Sequence, residues 1–172
     1  MAGIMGLCPD RYSDITYTID FNELYASGKR GILFDIDNTL VAHGAPADKR
    51  AIELFERLRE MGFKTCLISN NNEKRVKPFA EAVKAEYVAN AWKPKRSGYM
   101  QGINEMGVGI DKVVFIGDQL FTDVWGARRT GIYSILVKQI DKHEKFNIVL
   151  KRFFEKIVIN FYEKKKRKND MA

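Results

Sequence analysis

The chain has 172 residues, 45% of them hydrophobic and 30% charged, which suits one folded domain and excludes both a disordered chain and a second domain of ordinary size. Its two cysteines, Cys8 and Cys66, exclude a disulfide framework and lack metal-ligand spacing, as expected of a protein in a reducing compartment. The net charge of +7 is unevenly placed: residues 1–137 carry 18 Lys+Arg against 17 Asp+Glu, and residues 138–172 carry 11 against 5, which excludes a uniformly basic nucleic-acid-binding domain.

Met1–Leu7 is apolar but has no basic flank, so it is a poor signal peptide. No uncharged apolar run approaches the roughly 18 residues of a membrane span. Ile15–Ile19 alternates with β-branched residues and predicts a short strand; Phe21–Tyr25 predicts one helical turn closed by Gly28. Ile32–Phe34 is a short apolar run ending in acidic residues. Ala51, Leu54, Phe55, Leu58 and Met61 recur at helical spacing, with Gly62 as the stop. Thr65–Ile68 is a second buried-strand candidate. Val76, Phe79, Ala80 and Val83 predict a helix that tolerates Pro78 only near its first turn. Tyr87-Val88 is a minimal strand. Tyr99, Ile103 and Met106 predict a third helix ended by Gly107, Val113–Ile116 a strand, Val124–Arg129 a short helix ended by Gly131, and Tyr133–Val137 the last strand.

Phe146, Val149, Leu150, Phe153, Phe154, Ile157, Val158 and Phe161 then form an apolar stripe at helical spacing, followed by Lys164–Lys168. Two readings of 146–172 stand side by side. One is a helix packed on the sheet with a solvated basic end. The other is an amphipathic helix contacting an anionic membrane through 146–168, each basic residue near such a surface contributing about 1 kcal/mol. No aromatic residue interleaves Lys164–Lys168 to favour nucleic acid.

Strand–helix alternation with short connections predicts an α/β three-layer sandwich with a mainly parallel, Rossmann-like sheet. Residues 1–30 lead into a core over 31–145, and 146–172 form the tail. Such sheets carry their sites at the carboxyl ends of the strands. The residues just beyond those ends are chemically pointed. Asp35-Ile36-Asp37-Asn38-Thr39 comes after the first core strand, Ser69-Asn70 after the second, Gly117-Asp118 with Asp123 after the fourth, and Lys93 precedes the third helix. Clustered carboxylates need a cation, and hard oxygen ligands suit Mg²⁺. A carboxylate at a strand tip can attack phosphorus, and a second carboxylate two residues on can serve as acid and base. A hydroxyl and a lysine can hold phosphoryl oxygens.

These residues resemble the haloacid dehalogenase-like phosphatase superfamily, whose four motifs fall in order over residues 31–137. Asp35-Ile-Asp-Asn-Thr-Leu resembles its DxDxT motif, Ser69 the second, Lys93 the third, and Gly117-Asp118 with Asp123 the fourth. Asp-Asn-Thr-Leu, Ser-Asn-Asn-Asn-Glu-Lys-Arg-Val, Lys-Pro and Ile-Gly-Asp-Gln-Leu-x-Thr-Asp-Val further resemble the YqeG-type subfamily. Its members are class IIIA phosphatases related to mitochondrial phosphatidylglycerophosphate phosphatases. The resemblance implies Asp35 as nucleophile and Mg²⁺ ligand, and Asp37 as acid/base and ligand through its carbonyl. It implies Thr39 as a supporting hydroxyl, Ser69 as a phosphate ligand and Lys93 as the clamp, with Thr39 and Asn70 counted among the phosphate- or substrate-binding candidates. Asp118 becomes a ligand, and Asp123 a ligand or the acid behind it. The short segments between motifs leave no room for a large cap domain. The expected substrate is a phosphorylated small molecule or a phospholipid headgroup, phosphatidylglycerophosphate first. The expected place is the cytoplasm, at the inner face of the membrane where the tail engages it.

Blander readings accompany several residues. Ser69, Asn70 and Asp123 could serve as helix caps. Lys95 could replace Lys93 as the clamp, Asn71 and Asn72 are turn residues, His43 is a loop histidine, and Trp92 and Trp125 are packing residues, with a place lining the substrate entrance as the alternative for Trp92. Arg128-Arg129 complement a helix C-terminus. Rival functions are a phosphatase for soluble or nucleic-acid 3′-phosphates, and a non-catalytic phospho-acceptor or scaffold.

Overall fold

The computed structural model describes residues 8–141; the readings made for Met1–Leu7 and for 146–172 lie outside the described residues. Six strands are described: β1 (Arg11–Ser13), β2 (Gly31–Phe34), β3 (Lys64–Ile68), β4 (Glu86–Val88), β5 (Val113–Gly117) and β6 (Tyr133–Val137). They form one sheet in the order β1-β6-β5-β2-β3-β4, and every described pairing is parallel. The helices are α1 (Phe21–Ala26), α2 (Lys49–Glu60), α3 (Glu73–Val83), α4 (Arg96–Met106) and α5 (Gly126–Thr130), the last preceded by a π-helical turn over Leu120–Trp125.

Parallel strands covered on both faces read as continuous apolar runs, and the two central strands do so. Every residue of β2 and β5 is buried. Alternation then divides their side chains between two cores. Ile32, Phe34, Val114 and Ile116 pack with residues of α1, α2 and α3. Leu33, Val113 and Phe115 pack with Tyr99, Ile103 and Met106 of α4 and Ala127 of α5. The result is the expected three-layer α/β fold, with no large cap among the described residues. Full burial of a side chain such as Phe55 contributes about 2–3 kcal/mol at most.

Helix starts follow local chemistry. Asp20, Asp48 and Asn72 each accept a hydrogen bond from an amide three residues on, at 3.1, 2.8 and 3.2 Å, and so cap α1, α2 and α3. Gly28, Gly62, Gly107 and Gly131 follow the ends of α1, α2, α4 and α5 with positive φ, where L side chains are strained. Pro78 is the sixth residue of α3, a turn deeper than the spacing of its apolar residues predicts. The Asn72 cap starts the helix at Glu73, ahead of the first apolar residue, Val76.

The predicted strand at Ile15–Ile19 is not formed; Thr16–Thr18 is a 3-10 turn instead. Hydroxyls compete for its backbone: Ser13 Oγ and Thr18 Oγ1 both donate to the Ile15 carbonyl, at 3.2 and 2.9 Å. The edge strand is the earlier Arg11–Ser13, which adds to β6. It is anchored by Asp10, whose carboxylate accepts from Ser134 N at 2.9 Å and Ser134 Oγ at 3.0 Å and pairs with Arg128.

The sheet's strand order reverses between β2 and β5. From β2 the chain moves outward through β3 and β4, then crosses back to β5 and outward again to β6, beside which the N-terminal β1 forms the edge. The crevice at such a switch point, beyond the carboxyl ends of the two strands, is where ligands bind in open α/β sheets.

Candidate active site

Asp35 directly follows β2 and continues its ladder, its N–H donating to the Ile116 carbonyl at 2.9 Å. The chain then turns sharply. Asn38 takes a left-handed φ of 64°, and the Ile36 carbonyl accepts from the amides of Thr39 and Leu40 at 3.2 and 2.9 Å. Ile36 and Leu40 are buried and pin this turn from below. The segment leading into the core braces it from outside: Thr16 Oγ1 donates to the Thr39 carbonyl and Tyr17 Oη to the Leu40 carbonyl, both at 2.7 Å. The turn brings Thr39 Oγ1 back to 3.2 Å from both Asp35 Oδ2 and Asp118 Oδ1.

Asp118 directly follows β5, the strand paired with β2. Its Oδ2 accepts from Gln139 Nε2 at 2.9 Å, a partner from beyond β6. Asp123 lies in the π-helical turn and is fully buried. Its Oδ1 accepts from Lys93 Nζ at 2.7 Å and its Oδ2 from Gln119 N at 3.0 Å, so it is no helix cap. A Cβ on Gly117 would lie 2.7 Å from Asp123 Cγ, so the glycine of Gly117-Asp118 makes room for this carboxylate. Tyr99 of α4 holds the same turn by donating to the Thr122 carbonyl.

Lys93 Nζ also donates to Asp35 Oδ1 at 2.6 Å, while Lys95 lies over the Trp92 ring. The geometry therefore brings Lys93, and not Lys95, to the acids. Asn70 places it: its amide donates to the Lys93 carbonyl at 3.0 Å and accepts from the Lys93 N–H at 2.6 Å. Ser69 is buried at the end of β3, its Oγ accepting from Asn71 N at 3.1 Å, and the cap of α3 is Asn72. Trp92 is 69% exposed and is not the packing residue its type implied. Trp125 stacks on Phe121, with the Arg129 guanidinium over its ring at 4.4 Å.

Asp35, Asp118 and Asp123 can each offer an oxygen within 4.8 Å of the others. The Asp37 carboxylate is not part of this triad. It is held by Gly44 N at 2.8 Å, Arg75 Nη2 at 2.9 Å and Asn71 Nδ2 at 2.7 Å. Burial pushes Asp35 up to about 6, Lys93 pulling back and Asp123 adding to the rise. Burial likewise pushes Asp118 up to about 8, reinforced by Asp35 and Asp123. For Lys93, burial acts to lower the ammonium, but Asp123 and Asp35 outweigh it and hold the group above its ordinary value. Fully ionised, three carboxylates and one ammonium carry two net negative charges, which a divalent cation would cancel. The donor set is all oxygen, as a hard divalent metal requires.

Fold and site thus define a class: a doubly wound α/β protein with a buried aspartate triad, suited to a divalent metal, at its switch point. The family model for the haloacid dehalogenase-like hydrolases matches residues 43–131. The protein described as "Probable phosphatase YqeG" of Bacillus subtilis (strain 168) is 35% identical over 158 residues, covering 91% of this chain and 92% of its own. The chain belongs to the haloacid dehalogenase-like hydrolase family. Solved structures share the fold. An uncharacterized protein from Listeria monocytogenes serotype 4b has a TM-score of 0.53 at 19% identity, over 66% of this chain and 84% of its own. A hydrolase from Pseudomonas syringae has a TM-score of 0.51 at 16% identity, over 63% and 84%.

Three site residues escape sequence reasoning. Gln139 sits in a stretch with no local chemical signal, and Asn71 reads locally as a turn residue. For Asn71 and Arg75 the available signal is placement, in the Ser-Asn-Asn-Asn-Glu-Lys-Arg stretch after the second motif strand.

Proposed function

We propose that the protein is a Mg²⁺-dependent phosphomonoester phosphatase working through an aspartyl-phosphate at Asp35. The observation that carries this reading is the pairing of Asp35 at the tip of β2 with Lys93 at 2.6 Å and Thr39 at 3.2 Å, beside Asp118 and Asp123. Support also comes from the Bacillus subtilis relative, described as a phosphatase.

Asp35 attacks phosphorus; the new carboxylate–phosphorus bond forms as the bond to the alcohol oxygen breaks. Asp37 gives its proton to the departing oxygen. It then takes a proton from the water that attacks phosphorus in the acyl phosphate, releasing phosphate and restoring Asp35. Lys93 and Ser69 hold phosphoryl oxygens and offset their charge. Asp35, Asp118 and the Asp37 carbonyl would hold Mg²⁺. Asp123, fully buried and accepting from Lys93 Nζ at 2.7 Å, fixes Lys93 from behind. The metal's contribution is to cancel the triad's charge and polarise the phosphoryl group.

The substrate we infer is phosphatidylglycerophosphate. A site with no large cap among the described residues accommodates a bulky headgroup, and the basic residues of 146–168 suit contact with an anionic membrane. Among the described residues no helix is long and apolar enough to cross a membrane. The test is phosphate release with Mg²⁺ or EDTA on vesicle-borne phosphatidylglycerophosphate, a sugar phosphate and a 3′-phosphorylated oligonucleotide. Asp35→Asn should lower turnover by about 10⁴-fold or more without unfolding the protein. Wild-type rates in that variant would remove Asp35 as nucleophile. A preference for the oligonucleotide would replace the lipid.

A further inference from the structure

The three acids of the triad are held in different ways. Lys93 pairs with Asp35 and Asp123, and Asp118 has no ion pair among the described residues. Two neutral groups reach Asp118 instead. Thr39 Oγ1 lies 3.2 Å from its Oδ1, and Gln139 Nε2 donates to its Oδ2 at 2.9 Å. The Thr39 hydroxyl has one proton, and Asp35 Oδ2 stands at the same 3.2 Å, so Thr39 serves one carboxylate at a time. Gln139 is the donor that Asp118 does not share with Asp35. Its own position is fixed from both sides. Lys138 N–H donates to the Asp14 carbonyl at 3.3 Å, and Ile140 N–H to the Asn38 carbonyl at 3.2 Å. The second bond ties this segment to the turn that carries Thr39. A carboxylate among like charges rotates away from them unless a donor holds one oxygen, which is why metal-binding carboxylates carry hydrogen-bond partners behind them. A grip on Oδ2 leaves Oδ1 on the side shared with Thr39 and Asp35. A cationic donor in that place would cancel charge that attracts a metal ion; an amide leaves it whole.

We propose, on the reading of Asp118 as a Mg²⁺ ligand, that Gln139 is a positioning residue: its neutral amide orients Asp118 toward the cation without weakening the charge that binds it. Gln139 acts through Asp118 alone, so it sets how tightly the metal is held and leaves the chemical step to the groups at Asp35. The segment just beyond β6 thereby completes a site whose other residues follow β2, β3 and β5 or precede α4.

The experiment measures Mg²⁺ binding to the full-length protein by calorimetry without substrate, beside phosphate release from an aryl phosphate as Mg²⁺ is varied. Gln139→Met keeps the reach of the side chain and removes the donor; it should raise the Mg²⁺ Kd by about 10- to 100-fold. The Mg²⁺ concentration for half-maximal turnover should rise by the same factor, while kcat at saturating Mg²⁺ stays within about threefold of wild type. Gln139→Lys keeps donors and adds a charge opposed to the cation, so it should bind Mg²⁺ no better than Gln139→Met. An unchanged Kd in folded Gln139→Met overturns the proposal, and so does a fall in kcat at saturating Mg²⁺ with the Kd unmoved. Wild-type affinity in Gln139→Lys overturns the neutral grip. Absence of Mg²⁺ binding by the wild type overturns the reading of Asp118 as a ligand, and the proposal with it. Mg²⁺ binding without turnover would overturn only the phosphatase reading, the calorimetry still deciding the role of Gln139. Metal-free melting curves establish that the variants are folded, and Gln139→Ala replaces Gln139→Met if that one is not.

Discussion

Lys93 meets two carboxylates at 2.6 and 2.7 Å with its own side chain 3% exposed, so one ammonium orders both the nucleophile candidate and the acid behind it. Burial, with the neighbouring carboxylates adding to it, keeps protons on Asp35 and Asp118 well above the ordinary 3.8. Between about pH 4 and 8 the metal-free folded state then binds more protons than the unfolded chain, so stability falls as pH rises through that window. The midpoint of thermal unfolding in EDTA should drop from pH 5 to pH 8. Saturating Mg²⁺, which needs ionised carboxylates, should shrink or reverse the drop. A metal-free midpoint that rises with pH would contradict this electrostatic picture. Asp118→Asn should flatten the slope.

At the scale of elements, α3 has two tasks. Its Val76, Phe79, Ala80 and Val83 bury a stripe against the sheet, and its first turn carries Arg75 to Asp37. Asn72 supports both by accepting from the Arg75 N–H at 3.2 Å. Asn72→Ala should cost about 1 kcal/mol in urea unfolding, and Asn72→Asp should restore it. An unchanged midpoint in Asn72→Ala would show that the cap is dispensable. The helices were legible because apolar residues recur at helical spacing, and the core strands because each is a short continuous apolar run. The strand β1 was not: it is three residues long, Tyr12 is 68% exposed, and its hold on the sheet comes from Asp10 and Ser134, 124 residues apart. No local pattern encodes a contact of that span. The reverse error at Ile15–Ile19 arose because β-branched alternation resembles a strand while the Ser13 and Thr18 hydroxyls capture its backbone.

For the whole molecule, charge is the property read most directly from the residues. Residues 1–137 are nearly balanced, and the surplus lies beyond them. If that surplus holds the enzyme at anionic lipid, deleting residues 163–172 should weaken binding to phosphatidylglycerol vesicles at low salt, and raised salt should erase the difference. Unchanged vesicle binding would remove the idea.

The amino-acid sequence by itself determined the alternation of strands and helices, and the chemical kinds of residue waiting at the strand ends. Apolar periodicity and short polar motifs are local, and Asp35, Ser69, Lys93 and Asp118 each sit within one. Only the tertiary structure decided which residues meet. It set Thr39 between two aspartates, Asn70 across the backbone of Lys93, Gln139 on Asp118, and Arg75 on Asp37 rather than in solvent. Those contacts join loops brought together by the pairing of β2 with β3 and β5, and their partners are set by strand order and burial, which no single stretch of chain contains.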